Sequence, residues 1–334
     1  MKPRTAEILK SVVRQYIRTG EPVASGVIAR ERDMGISPAT IRNEMALLEE
    51  EGYITRPHYA SGSIPTDKGY RYYVNTIELP ELSEEEKRLA AHLFYQVEKD
   101  LEEWLGLAAS LLSQMSQSFA FVTVPLVKEN RFQRVDLISL KEYLALLILV
   151  LQGANAVREL ITLEEVASQD ALDRLAGHLN SFYYGLTQHE IASANYELTA
   201  EERKVTDVIL RIMKSEDDKR YESSYYDGWF YLLNQPDLEK STQLANFIRL
   251  AEQRQLLGMI LPPEDEAKVI VLIGEENKSE AVKDFSVVTA RYGMPLKVTG
   301  YLGVIGPTRM PYERTIAVAD YLSNIMDELM SEVH

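Results

Sequence analysis

The stretch Ile36–Arg56, ISPATIRNEMALLEEEGYITR, decides how this 334-residue chain is read. Ser37 is a strong N-cap, Pro38 sits at the first helical position where its missing N–H is no loss, and Ile41, Met45 and Leu48 recur at helical spacing. That stripe turns toward a core. The opposite face, near the helix start, carries Ser37, Ala39, Thr40, Arg42 and Asn43, short or hydrogen-bonding side chains able to reach phosphates and base edges. Gly52 follows the last turn, where a C′ glycine ends a helix. A solvated surface helix presents a similar face, so the flanking segments must separate the two readings.

Upstream, Thr5–Arg18 predicts a helix with Ile8, Leu9, Val12, Val13, Tyr16 and Ile17 on one side, stopped by Gly20 and Pro22. Ser25 caps a short second helix to about Arg32. The turn Asp33-Met34-Gly35-Ile36 then joins it to the opening stretch, a helix-turn-helix pattern. Downstream, Tyr53–Tyr59 predicts a strand, Ala60–Ser63 a turn, and Ile64-Pro65 a return strand. Thr66 caps a further helix carrying Tyr70, Tyr73, Val74 and Ile77. Residues 1–77 thus predict a winged helix-turn-helix, with Arg56, His58 and Lys68 as basic candidates for phosphate contact beside the helix.

The charge distribution supports that division. The chain carries a net −15, yet residues 1–77 hold 11 Lys and Arg against 9 Asp and Glu. Within them Glu49, Glu50 and Glu51 cluster at the far end of the reading helix, which leaves its start the less negative. A segment so weakly basic needs a second copy for affinity, which points to a dimer.

There are no cysteines, which removes disulfides, thiolate metal sites and cysteine nucleophiles and agrees with a cytoplasmic location. No apolar run reaches the about 18 residues of a membrane span, and the N-terminus lacks a signal-peptide pattern. The five histidines, His58, His92, His178, His189 and His334, show no metal-ligand spacing. No nucleophile elbow or phosphate-binding loop is present, so the expectation is a protein that is not an enzyme, with no cofactor and no metal.

Beyond residue 77 the chain predicts an α+β multidomain protein. Residues 78–118 read as a linker and one long helix, capped by Ser83 with Glu86, of about 50 Å if unbroken to Ser118. It is either a core helix or one that packs against its twin. From Phe119 the period changes to two: FAFVTVP, RFQRVDLISL and EYLALLILVLQ read as successive strands, followed by a helix over Ala171–Gly185. Strands at Lys268–Gly274, Phe285–Tyr292 and Lys297–Leu302 return to the sheet, and Tyr312–Glu332 closes the chain as a helix. A sheet domain of 119–196 with 262–334 follows, interrupted by a mainly helical insertion at 197–261. Glu264-Asp265-Glu266 reads as a solvated loop. Gly300, Gly303 and Gly306, spaced by three and followed by Pro307-Thr308-Arg309, read either as an anion cradle or, as the stronger reading, as part of a rigid loop, Gly303–Met310, whose Arg309 ties domains or subunits together.

Two segments carry a family resemblance. Ser37–Val74, SPATIRNEMALLEEEGYITRPHYASGSIPTDKGYRYYV, and Val304–Tyr312, VIGPTRMPY, resemble the corresponding segments of the HrcA heat-inducible transcription repressors of bacteria. Together they lie near opposite ends of a chain of the right size. The resemblance implies a GAF-like sheet domain, an insertion that contributes to dimerisation, and a homodimer on the CIRCE inverted-repeat operator of chaperone operons. It further implies relief of repression by heat and modulation by the GroEL chaperonin. Ser63 departs from the pattern, standing where a basic wing residue is expected. Two other readings remain: a small-molecule sensor built on the GAF-like domain, and a scaffold whose winged helix contacts protein.

Overall fold

The computed structural model describes residues 1–31, 37–58, 61–97, 100–127, 130–152, 156–163, 166–194, 196–218, 224–235, 242–261, 267–294 and 298–333. The expected turn Asp33–Ile36, the wing residues Tyr59 and Ala60, the acidic run Glu264–Glu266 and His334 lie outside them. Among the described residues the fold is mixed α+β with three sheets. It divides into two compact units, one of Met1–Pro125, Ser224–Met294 and Gly300–His334, the other of Leu126–Ser223 and Pro295–Thr299.

The first unit opens with α1 (Pro3–Thr19), α2 (Ser25–Glu31) and α3 (Pro38–Glu50). The pair β1 (Ile54–Thr55) and β2 (Ile64–Pro65) follows, antiparallel, and then α4 (Asp67–Thr76). Local signals fix these limits. Ser37 accepts from Thr40 N–H and Thr66 from Gly69 N–H as N-caps, and Gly52 takes φ +75° just past α3. Ile8, Leu9, Val12, Val13, Ile28, Ile41, Leu48, Ile54 and Tyr73 form the small core between them.

The long helix expected over residues 83–118 is two helices, α5 (Glu84–Gln96) and α6 (Leu101–Ser116). The Ser83–Glu86 capping box starts α5, but Val97 is extended at ψ 141° and Asp100 restarts the chain by accepting from Glu102 N–H. An aspartate followed by two glutamates is itself a helix-start signal, and it prevails over the continuing apolar period.

β3 (Phe119–Thr123) then leads into the second unit: β4 (Leu126–Val127), β5 (Phe132–Lys141), β6 (Leu144–Leu151), β7 (Val157–Thr162), α7 (Gln169–Tyr183), α8 (Gln188–Ser193) and α9 (Ala200–Asp218). Here β5-β6-β7 form an antiparallel three-stranded sheet. Its inner face, with Val135, Leu137, Leu147, Leu149 and Ile161, packs on Leu172, Leu179 and Tyr183 of α7 and on Ile209 and Met213 of α9. Asn180 fastens α7 to β5, donating to Val135 O at 2.9 Å and accepting from Val135 N–H at 2.7 Å.

The chain re-enters the first unit with β8 (Ser224–Asp227), α10 (Trp229–Leu233), α11 (Thr242–Glu252), α12 (Leu256–Ile260), β9 (Val269–Ile273), β10 (Phe285–Met294), β11 (Val298–Pro307) and α13 (Tyr312–Val333). The strand order β8-β3-β11-β10-β9 makes its sheet. All of β3 is buried, and Phe119 meets Trp229 and Phe247 at ring centroids 4.3 and 5.5 Å away.

Two expectations are therefore corrected. FAFVT and the next two strands do not share one sheet: β3 pairs with β8 and β11, while β5 and β6 pair with each other and with β7. The interrupting segment is accordingly 126–223 rather than 197–261, and it holds a three-stranded sheet as well as helices. Pairing over such separations leaves no local trace in the sequence.

Candidate nucleic-acid interface

The face of α3 divides as its sequence demands. Ile41, Met45 and Leu48 are 0, 3 and 0% exposed, whereas Ser37, Ala39, Arg42 and Asn43 are exposed and Thr40 half-buried. Ser37 and Thr40 share a hydrogen bond between their hydroxyls at 3.0 Å, so the cap and the first turn present them together.

Glu44 is the residue that sequence reasoning missed. It lies in the buried stripe, 5% exposed, accepting from Arg4 Nε at 3.0 Å and from Thr5 Oγ1 at 2.6 Å. The Thr5 hydroxyl and the Arg4 guanidinium hold its carboxyl below the usual carboxylate range. Its place three residues after Ile41 and four before Leu48 was the available signal; its partners on α1 were not readable.

Arg42 and Arg56 line a common cleft of about 300 Å³ together with Val23, Ser25, Ser61 and Gly62. Arg56 is also paired to Glu49 at 3.2 Å. His58 is exposed at the edge of the hairpin, where its N–H donates to Ser61 Oγ and Ser61 Oγ donates to His58 O. The structure thus gathers Ser37, Ala39, Thr40, Arg42, Asn43 and Arg56 around the start of α3 and its neighbouring cleft, with His58 beside Ser61. Lys68 stands apart. Its Nζ donates to Glu51 O at 2.7 Å, at the acidic end of α3, and lies 4.4 Å from the Tyr53 ring centroid.

Ser63, which stands where the resemblance implies a basic wing residue, faces inward. It is 1% exposed and exchanges backbone hydrogen bonds with Val23, at 2.8 and 2.9 Å. A basic side chain there would point inward, so the position is not one from which a wing contacts phosphate. The preceding Gly62 is held so close that a Cβ on it would come 2.5 Å from the Val23 carbonyl carbon.

The Gly306–Arg309 loop is far from this face in its contacts. Gly306 and Pro307 end β11, Thr308 O accepts from Tyr312 Oη at 2.7 Å, and Arg309 Nη1 donates to Ile17 O at 3.2 Å in the last turn of α1. Among the described residues there is no group of three or more His, Cys, Asp or Glu able to hold a metal ion. No described helix is long and apolar enough to cross a membrane.

The profile of the HrcA protein C-terminal domain matches residues 102–316. A relative from Dehalococcoides mccartyi is 42% identical over 335 residues, covering 100% of this chain and 97% of its own. One from Herpetosiphon aurantiacus is 34% identical over 343 residues, covering 100% and 96%. A crystal structure described as a hypothetical protein at 2.2 Å resolution is 24% identical over the whole of both chains with a TM-score of 0.63, which shows a shared fold. Both relatives are named heat-inducible transcription repressors, which puts the chain among transcriptional regulators. It belongs to the HrcA family of heat-inducible transcription repressors.

Proposed function

We propose that residues 1–77 are a winged helix that binds an inverted-repeat operator of the CIRCE type, one copy on each half-site of a cytoplasmic homodimer whose sheet domain is GAF-like. The observation that carries this reading is the exposed start of α3 standing over a cleft shared by two arginines. Laid in the major groove, that end would bring Thr40, Arg42 and Asn43 to base edges, with Ala39 against a thymine methyl. Ser37, Arg56 and His58 would hold the backbone, and Lys68 would reach it only by leaving the Glu51 carbonyl.

A dimer is supported by the outer face of the three-stranded sheet. There Leu144, Leu146, Ile148 and Val150 alternate with the core residues of β6 and are only half-buried. Leu146 sits in a cross-strand row between Ile138 and Leu160, which are 41 and 59% exposed. An apolar row of this kind on a sheet whose other face is already core fits a partner subunit.

Heat and the GroEL chaperonin would act on the same quantity. If the DNA-competent dimer is a fraction of the population, apparent affinity scales with that fraction, so a chaperonin that raises it tightens repression and heat that lowers it relieves repression. Hydroxyl-radical footprinting on the inverted repeat tests the binding mode. Two symmetric protected patches are expected; protection spread evenly along the duplex would contradict it.

A further inference from the structure

Ile77–Ser83 join α4 to α5 without regular secondary structure. A tether of these seven residues spans up to about 23 Å, so by itself it would let the N-terminal module swing freely. Side chains counter this within the first unit, and three of the ties among the described residues stand out, beside Asp67 Oδ2, which accepts from Glu275 N–H at 2.9 Å.

Glu313, at the start of α13, accepts from Tyr73 Oη at 2.6 Å and from Arg14 Nε at 3.3 Å. Arg71 grips Glu276 through Nε at 2.7 Å and through Nη2, and gives Nη2 to Val271 O at 2.6 Å. Arg309 closes the third place, donating to the Ile17 carbonyl with its guanidinium carbon 3.2 Å from where a Cβ on Gly20 would stand. Between these ties Tyr70 and Tyr312, 2 and 0% exposed, pack at ring centroids 5.8 Å apart. The ties engage α1 and α4 and leave the exposed start of α3 untouched.

Three separated points fix the orientation of a rigid body. We infer that Glu276, Arg309 and Glu313 are positioning residues for operator binding: without touching DNA, they set the angle at which each subunit presents α3, and hence the half-site separation that a dimer accepts. This rests on the winged-helix dimer reading. Two reading helices must meet half-sites in fixed phase, and two added base pairs move a half-site by about 7 Å and turn it by about 70°. A latched module cannot follow that change, whereas a tethered one can.

The test uses the full-length protein and a double variant, Glu276→Ala with Arg309→Ala. Both are titrated on the inverted repeat with its natural spacer, on repeats with spacers two base pairs longer or shorter, and on a single half-site. The wild type should lose about 100-fold on the altered spacers, as two-headed binding falls to one-headed. The double variant should lose less than about threefold while holding the single half-site as the wild type does. Spacer ratios unchanged in the double variant would overturn the inference and leave the winged-helix reading standing; a wild type that ignores the repeat altogether would remove that reading itself. Should the double variant fold poorly, Glu276→Gln with Arg309→Gln, which weakens the same two ties at nearly conserved size, carries the same comparison. In the Arg309→Ala background, the reversed pair Arg71→Glu with Glu276→Arg should restore spacer discrimination.

Discussion

Glu44 Oε2 accepts a hydrogen bond from Thr5 Oγ1 at 2.6 Å on the side of α3 turned away from its exposed residues. One face of the helix is thereby hung on α1 while the other is offered to solvent. Replacing Glu44 by Ala leaves Arg4 and Thr5 without that partner, and a loss of about 2–3 kcal/mol is expected, read as faster amide exchange along α3. The same residue makes the module acid-sensitive. Its carboxyl is held below the ordinary 4.5 by Thr5 and Arg4, so its contribution is complete above about pH 4.5 and is lost as pH falls through the lowered value. Glu44→Gln should flatten that acid limb; an unchanged limb would assign the acid sensitivity elsewhere.

Ser63 gives a prediction opposite to the one its sequence position invites. An arginine at an inward, 1% exposed site should cost about 3 kcal/mol or more and should not strengthen DNA binding. Thermal unfolding and operator titration of Ser63→Arg check both halves. A stable variant that binds more tightly would place the residue at the wing surface.

Arg42 and Arg56 share a cleft but should differ in what they contribute. Arg42→Ala is expected to cost about 1–3 kcal/mol on the operator and to narrow the gap between operator and scrambled duplex. Arg56→Gln should weaken both duplexes alike and lower the salt slope by about 0.9. Lys68→Ala, with its ammonium engaged at Glu51, should change the slope less than Arg56→Gln does. Equal effects of Arg42 and Arg56 on the two duplexes would make both of them phosphate contacts.

Leu146→Asp places a charge in the middle of the Ile138–Leu146–Leu160 row. Sedimentation velocity should then find a monomer, with operator affinity down by about 100-fold as two-headed binding is lost. A dimer that persists would move the subunit interface off this sheet.

What the sequence disclosed was local. The caps at Ser37, Thr66 and Ser83 and the helix stops at Gly20 and Gly52 are each set by side chain and backbone within a few residues, and all stand where the pattern put them. The partition of the strands was not legible, because it depends on pairings such as Val122 with Leu302 and with Tyr225. β7 was overlooked because VRELIT carries two charged residues, and β8 because its four residues sit in an aromatic run that reads equally well as helix. At the candidate interface the exposed face was readable and its supports were not. Nothing near Glu44 names Thr5, and nothing near Arg309 names Ile17.

The most direct test is the anisotropy of a labelled CIRCE duplex titrated with the full-length protein, beside a scrambled duplex, at two salt concentrations and with and without the GroEL chaperonin. Preference for the intact repeat with two subunits per duplex, sharpened by chaperonin, is expected. Equal binding to both duplexes under every one of these conditions would contradict it.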